Sequence, residues 1–114
     1  TVYGDGSQTR SFCYVDDMVR GLRTLMDTEG LQGEVINLGN EREITIMELA
    51  ETILSTCDTE SGVTYEPLPK DDPARRRPDL TKARERLDFV PSVNLQTGLE
   101  RTIDWFAETL NEPQ

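Results

Sequence analysis

Apolar positions along the chain change period several times, and each change marks an element. Val15, Met18, Val19, Leu22, Leu25 and Met26 fall at the i, i+3, i+4, i+7 spacing of one helical face. Asp16 and Asp17 stand in the first turn of that helix, where its dipole favours negative charge. Gly30 and Gly33 end the segment. Upstream, Thr1-Val2-Tyr3 is a β-prone triplet, Gly4 to Ser7 is a turn by composition, and Ser11 to Tyr14 reads as a second extended piece. A chain that opens in mid-strand reads as cut from something longer. Downstream, Val35-Ile36-Asn37-Leu38 predicts a short buried strand, closed by Gly39-Asn40.

Thr45 and Glu48 have the spacing of a capping box, in which each side chain satisfies a free backbone N–H. Ile46, Leu49, Ala50, Ile53 and Leu54 then line a second helix, and Val63 to Glu66 reads as a strand that Pro67 ends. Asp79 can cap a short helix carrying Leu80, Ala83 and Leu87. After Pro91, the stripe Leu95, Leu99, Ile103, Phe106 and Leu110 predicts the last helix. Gly98 inside it costs about 1 kcal/mol against Ala, so it predicts a close neighbour. Trp105 lies off the stripe and is expected to pack on a neighbour or on a surface now missing, and Asn111 to Gln114 are expected to fray. Short strands alternating with about four helices predict an α/β or α+β class, with residues 1–114 as a single region.

Charge narrows the partners. The chain carries 12 basic against 22 acidic residues, a net −10, which argues against non-specific nucleic-acid binding. No apolar run approaches the ~20 residues of a membrane span, and no secretory core is visible, so a cytoplasmic protein with no membrane partner is expected. The absence of His removes His-based triads, His proton relays and most zinc sites. Cys13 and Cys57 make neither a zinc cluster nor a disulfide framework and read as reduced structural thiols. The acid pairs Asp16-Asp17 and Asp71-Asp72 could hold a metal, but a helix end and a loop explain them.

One segment contradicts the overall charge. Residues 70–78 read Lys-Asp-Asp-Pro-Ala-Arg-Arg-Arg-Pro, a loop, because the flanking prolines exclude a helix interior or central strand. Arg75, Arg76 and Arg77 could be solvated and paired with Asp71, Asp72 and Asp79. They could also form an anion site, since guanidinium groups match phosphate oxygens in bidentate fashion. Arg10, after the glycine-rich turn, could complete a diphosphate clamp. Gly4-x-Gly6 is no dinucleotide fingerprint, because position 9 is Thr.

The stretches TVYGDGSQTRSFCYVDD, VINLGN, DDPARRRPDLTKA and DFVPSVNLQTGLERTIDWF, in that order, resemble the C-terminal part of extended short-chain dehydrogenase/reductases acting on nucleotide sugars. Within that NAD-dependent epimerase/dehydratase group the resemblance is strongest to the UDP-glucuronate decarboxylase branch. The dTDP-glucose 4,6-dehydratases and UDP-sugar 4-epimerases share the skeleton. A non-catalytic nucleotide-sugar-binding module is the alternative class.

The resemblance implies a full enzyme with a Rossmann half holding NAD and a C-terminal part holding the UDP-sugar. It implies oxidation at C4 of UDP-glucuronate, loss of CO2 from the β-keto acid and reduction to UDP-xylose. It implies that Arg10 and Arg76 contact phosphate, that Tyr3 packs near the uracil and that Gln8 contacts the nucleotide. It also implies a homodimeric parent. Arg75 and Arg77 are left as flanking charge, and Asp16, Asp17, Asn37 and Thr45 as structural caps and turns. The family's cofactor loop and Tyr-x-x-x-Lys pair are absent, since Lys70 and Lys82 follow Glu66 and Pro78 at that spacing. The chain alone is therefore expected to bind no NAD and to be inactive.

Overall fold

The computed structural model describes residues 1–57 and 59–110. Strand β1 (Val2–Tyr3) leads through the 4–7 turn into β2 (Thr9–Ser11), helix α1 (Val15–Asp27), β3 (Glu43–Thr45) and α2 (Ile46–Cys57). Then follow β4 (Tyr65–Glu66), α3 (Thr81–Leu87) and α4 (Leu95–Leu110). β1 pairs in parallel with β4, Val2 opposite Tyr65, and β2 pairs antiparallel with β3, Arg10 opposite Ile44. Among the described residues the architecture is α/β with four helices and short strands, as the alternating pattern predicts.

The small core is built on α3. Leu80, Ala83, Leu87 and Phe89 are its buried members, and Leu25, Leu31, Ile36 and Leu38 pack against them. α3 starts because Asp79 accepts the Thr81 N–H at 2.9 Å and Glu41 accepts the Leu80 N–H at 2.8 Å. It stops at Asp88, which adopts the left-handed conformation with φ 51°. That turn lets the Phe89 N–H donate to the Ala83 carbonyl at 3.1 Å and folds the ring back under the helix.

Most of the apolar stripe of α1 stays outside this core, Leu25 being the member that packs on it. Val15, Val19 and Met26 are 60%, 56% and 83% exposed, while the buried members of α1 are Asp17 and Gly21. Gly21 explains the choice of face. A Cβ there would stand 2.9 Å from Phe89 Cε2 and 3.1 Å from Leu38 Cδ2. Without one, α1 settles directly on the core, so that Leu25 alone of the stripe packs on the cluster while Val15, Val19, Leu22 and Met26 turn outward.

Asp17 fixes the same face from its other end. Its Oδ2 accepts the backbone N–H of Ser92 at 3.1 Å and of Val93 at 2.9 Å, and its Oδ1 accepts the Ser92 hydroxyl at 2.9 Å. Arg20 donates to Asp17 at 3.1 Å and to the Val90 carbonyl at 2.7 Å. Asp17 is thus structural, but as a tie between α1 and the 90–93 loop rather than a simple end charge.

Other boundaries shift. The 35–38 segment is no strand: Val35 is 80% exposed and the backbone joins no ladder, while Ile36 and Leu38 lean on the core. A strand needs a neighbour to pair with, and none stands beside this segment among the described residues. The second extended piece begins at Thr9 rather than Ser11, because residues 9–11 are the ones that face β3. β4 is shorter than the 63–66 pattern.

At α2, Thr45 Oγ1 accepts the Glu48 N–H at 3.0 Å, as a capping box requires. The Glu48 carboxylate, however, takes the Thr45 hydroxyl at 3.3 Å and not a backbone donor. Gly98 meets its expected neighbour, since a Cβ there would lie 3.2 Å from the Tyr14 ring. Trp105 stays 57% exposed and meets Phe106 edge to face at 4.9 Å. The expectation for Asn111 to Gln114 falls outside the described residues.

Candidate functional site

β2 and the 70–78 loop meet because the Thr9 N–H donates to the Ala74 carbonyl at 2.8 Å. This junction brings Arg10, Ser11, Asn37, Arg76 and Arg77 around one open cavity of about 310 Å³. Arg10 is held on two sides. Its Nη2 donates to Asp72 Oδ1 at 3.0 Å, and its Nη1 to its neighbour's carbonyl, Thr9, at 2.6 Å. The side chain is only 19% exposed, so its remaining donors sit in a partly desolvated setting where a charge-assisted bond is strong.

The three consecutive arginines diverge. Arg75 forks onto Glu43, with Nε to Oε1 at 3.0 Å and Nη2 to Oε2 at 2.6 Å. Arg77 approaches Glu41 at 3.9 Å. Arg76 has no ion-pair partner among the described residues. The Arg75 hydrogen bond, outweighing burial, holds the Glu43 carboxyl below the ordinary glutamate range. Arg84 and then the Leu80 N–H do the same for Glu41. Both acids therefore stay charged beside the cluster at neutral pH.

The other two expected site residues stand apart from this cavity. Gln8 is buried, and its amide Nε2 donates to the Tyr3 carbonyl at 3.0 Å, bracing the 4–7 turn. Tyr3 is half exposed at the end of β1. Three wall residues carried no such expectation. Ser11 and Asn37 sit in an unremarkable strand and turn by sequence, and Arg77 looked like flanking charge. The Ser11 hydroxyl is buried with no hydrogen-bond partner among the described residues. Nothing in the sequence pattern singled it out.

Neither the 4–7 turn nor the start of α1 is built for a dinucleotide. The 4–7 turn runs into strand β2 and not into a helix N-terminus, so it offers no dipole to a pyrophosphate. The first turn of α1 carries Asp16 and Asp17, which repel phosphate. No group of three or more metal-ligating acids or thiols is present among the described residues, and no helix there is long and apolar enough to cross a membrane. Cys13 and Cys57 are both free, and burial pushes the Cys13 thiol upward, which makes it a poor nucleophile.

A family model described as GDP-mannose 4,6 dehydratase matches residues 1–102. The chain belongs to this family. Among its relatives, UDP-glucuronic acid decarboxylase 1 of Arabidopsis thaliana is 44% identical over 115 residues, covering all of this chain and 26% of the relative. UDP-glucuronic acid decarboxylase 1 of Danio rerio is 46% identical over 96% of this chain and 26% of its own length. The chain thus spans about a quarter of these relatives' length.

Solved structures agree on the family fold. The epimerase Mth375 of Methanothermobacter thermautotrophicus superposes with a TM-score of 0.91 at 39% identity, over 96% of this chain and 33% of that one. The UDP-glucuronic acid 4-epimerase of Bacillus cereus, in complex with UDP-glucuronic acid and NAD, gives 0.87 at 29% identity over 95% and 35%. The resemblance read from the four sequence stretches therefore holds at the level of family and of α/β fold.

Proposed function

We propose that this chain is the nucleotide-sugar-binding portion of an NAD-dependent sugar-nucleotide enzyme, a UDP-glucuronate decarboxylase that forms UDP-xylose. The observation that carries the reading is the cavity shared by Arg10, Arg76 and Arg77 on a chain of net charge −10. Concentrating cations at one concave place against the overall charge selects a polyanion, and a diphosphate fits two guanidinium groups. Arg10 and Arg76 contact the phosphates. Tyr3, half exposed at the end of β1, serves the nucleoside end, and Gln8 braces the turn that carries it. The decarboxylase relatives support the choice of sugar, and the solved epimerases make UDP-sugar 4-epimerase the second reading.

NAD and the catalytic Tyr-x-x-x-Lys pair belong to a Rossmann part that this chain docks against. The exposed stripe of Val15, Val19, Leu22 and Met26 on α1 supports such a contact, because stripes of this kind seldom face water in a finished protein. The working enzyme is a cytoplasmic homodimer on this reading.

Arg76→Ala in the complete enzyme should weaken UDP binding about ten- to hundredfold, the loss of one charge-assisted contact. Calorimetric titration with UDP checks it, and unchanged affinity removes Arg76 from the site. Titration with UDP-glucuronate, UDP-glucose and dTDP-glucose then ranks the sugars. The isolated chain should bind an apolar dye and self-associate at high concentration. A dye-silent monomer by light scattering contradicts the docking face.

A further inference from the structure

Three arginines in a row repel one another and have long, mobile side chains, yet a phosphate site needs a guanidinium held in place. The structure contains a device for this. As the loop advances from Arg75 to Arg77, their partners step back from Glu43 to Glu41, the order of an antiparallel pair. Glu43 lies on β3 and is itself fixed by the Thr9 hydroxyl, which donates to its Oε1 at 3.2 Å. Glu41 is fixed by Arg84 at 2.8 Å and by the Leu80 N–H. The backbone bond from Thr9 to Ala74 closes the same junction. Arg75 is taken by Glu43, and Arg76 and Arg77 are the loop guanidinium groups that line the cavity with Arg10.

We propose that Glu43, with Glu41 in support, is a positioning residue for the anion site: it holds Arg75 so that Arg76 meets the phosphates. The inference rests on the reading of this cavity as a diphosphate site. It runs against simple electrostatics. An acid beside a phosphate site repels the ligand, so removing its charge should tighten binding if charge alone mattered. A positioning role demands the opposite sign.

The experiment uses the complete enzyme, with UDP and inorganic pyrophosphate as probes in calorimetric titrations. Glu43→Gln, which keeps the shape and can still accept from Thr9, should weaken both ligands about three- to tenfold. Glu43→Arg should weaken them more, although it adds positive charge. The charge-swapped pair Glu43→Arg with Arg75→Glu restores the ion pair at unchanged net charge and should recover affinity to within about threefold of the unaltered enzyme. Thermal melting of each variant checks that it folds. Tighter or equal binding in Glu43→Gln overturns the proposal, as does a swapped pair that folds yet binds no better than Glu43→Arg. If the unaltered enzyme binds pyrophosphate but not UDP, the nucleotide reading fails and the positioning role is still decided by pyrophosphate. If it binds neither, both fall.

Discussion

Replacing Phe89 by Ala is expected to destabilise the chain by about 3–5 kcal/mol, the usual cost of emptying an aromatic site in a packed core. The ring is 2% exposed and sits at the centre of the only buried apolar cluster among the described residues. Leu80, Ala83 and Leu87 surround it from α3, and the open backbone at Gly21 presses on it from α1. Arg20 also lies over the ring, its Cζ 5.1 Å from the centroid. A cluster this small has little capacity to collapse into the void. Urea unfolding of the variant checks the size of the loss. A cost below about 1 kcal/mol would mean that the core is not organised around this ring. Phe89→Leu, which keeps most of the volume, should lose much less.

Asp17→Ala is expected to cost about 3 kcal/mol, by a different route. The carboxylate is 2% exposed and accepts from two backbone N–H groups, one hydroxyl and one guanidinium. Ala leaves the Ser92 and Val93 donors buried without an acceptor, and the loop that aims α4 loses its tie to α1. Arg20 is half exposed, so the ion pair itself is screened and contributes the smaller share. Asp17→Asn should recover only part of the loss, because its amide NH2 meets other donors.

The same carboxylate sets an acid limit. Burial pushes its pKa up, but the bonds from Val93, Ser92 and Arg20 outweigh burial and hold it below the ordinary aspartate value. Its folded pKa is thus depressed relative to the unfolded chain, near 3.9. The stability it contributes is present above that pH and lost as pH falls through the folded value. Stability measured from pH 6 down to 2 should therefore fall less steeply in Asp17→Ala than in the unaltered chain. Parallel curves would show that Asp17 is not linked to folding.

Much of the fold was legible along the chain, and the places where reading failed share a cause. Helix spans followed from period and from end signals: the 15–27 helix, the Thr45 hydroxyl before α2 and the close approach at Gly98 are local facts, decided within a few residues. The face each helix buries is not local. α1 carries one apolar stripe, yet only Leu25 of it packs on the core, and Gly21 and Asp17 set the face, because a missing Cβ and a buried carboxylate fit Phe89 and the 92–93 backbone. Val35 to Leu38 has the composition of a strand, but a strand needs a neighbour, and none stands beside it among the described residues.

The candidate site divides in the same way. Its chemistry was visible in sequence, as an arginine run against an acidic background and one more arginine after a glycine-rich turn. Its geometry was not. Residues Arg10, Asn37 and Arg76 are far apart in the chain and share a wall only because β2 pairs with β3 and the loop is tied to Thr9. The sequence by itself determined the helices and the clustering of charge, because period and composition act at short range, and its motif stretches carried the resemblance that the family model bears out. Only the tertiary structure decided which arginine of the 75–77 run lacks an ion-pair partner among the described residues. Each guanidinium has the same intrinsic affinity for a carboxylate, and the placement of Glu41, Glu43 and Asp72 around the loop determines which of them are taken.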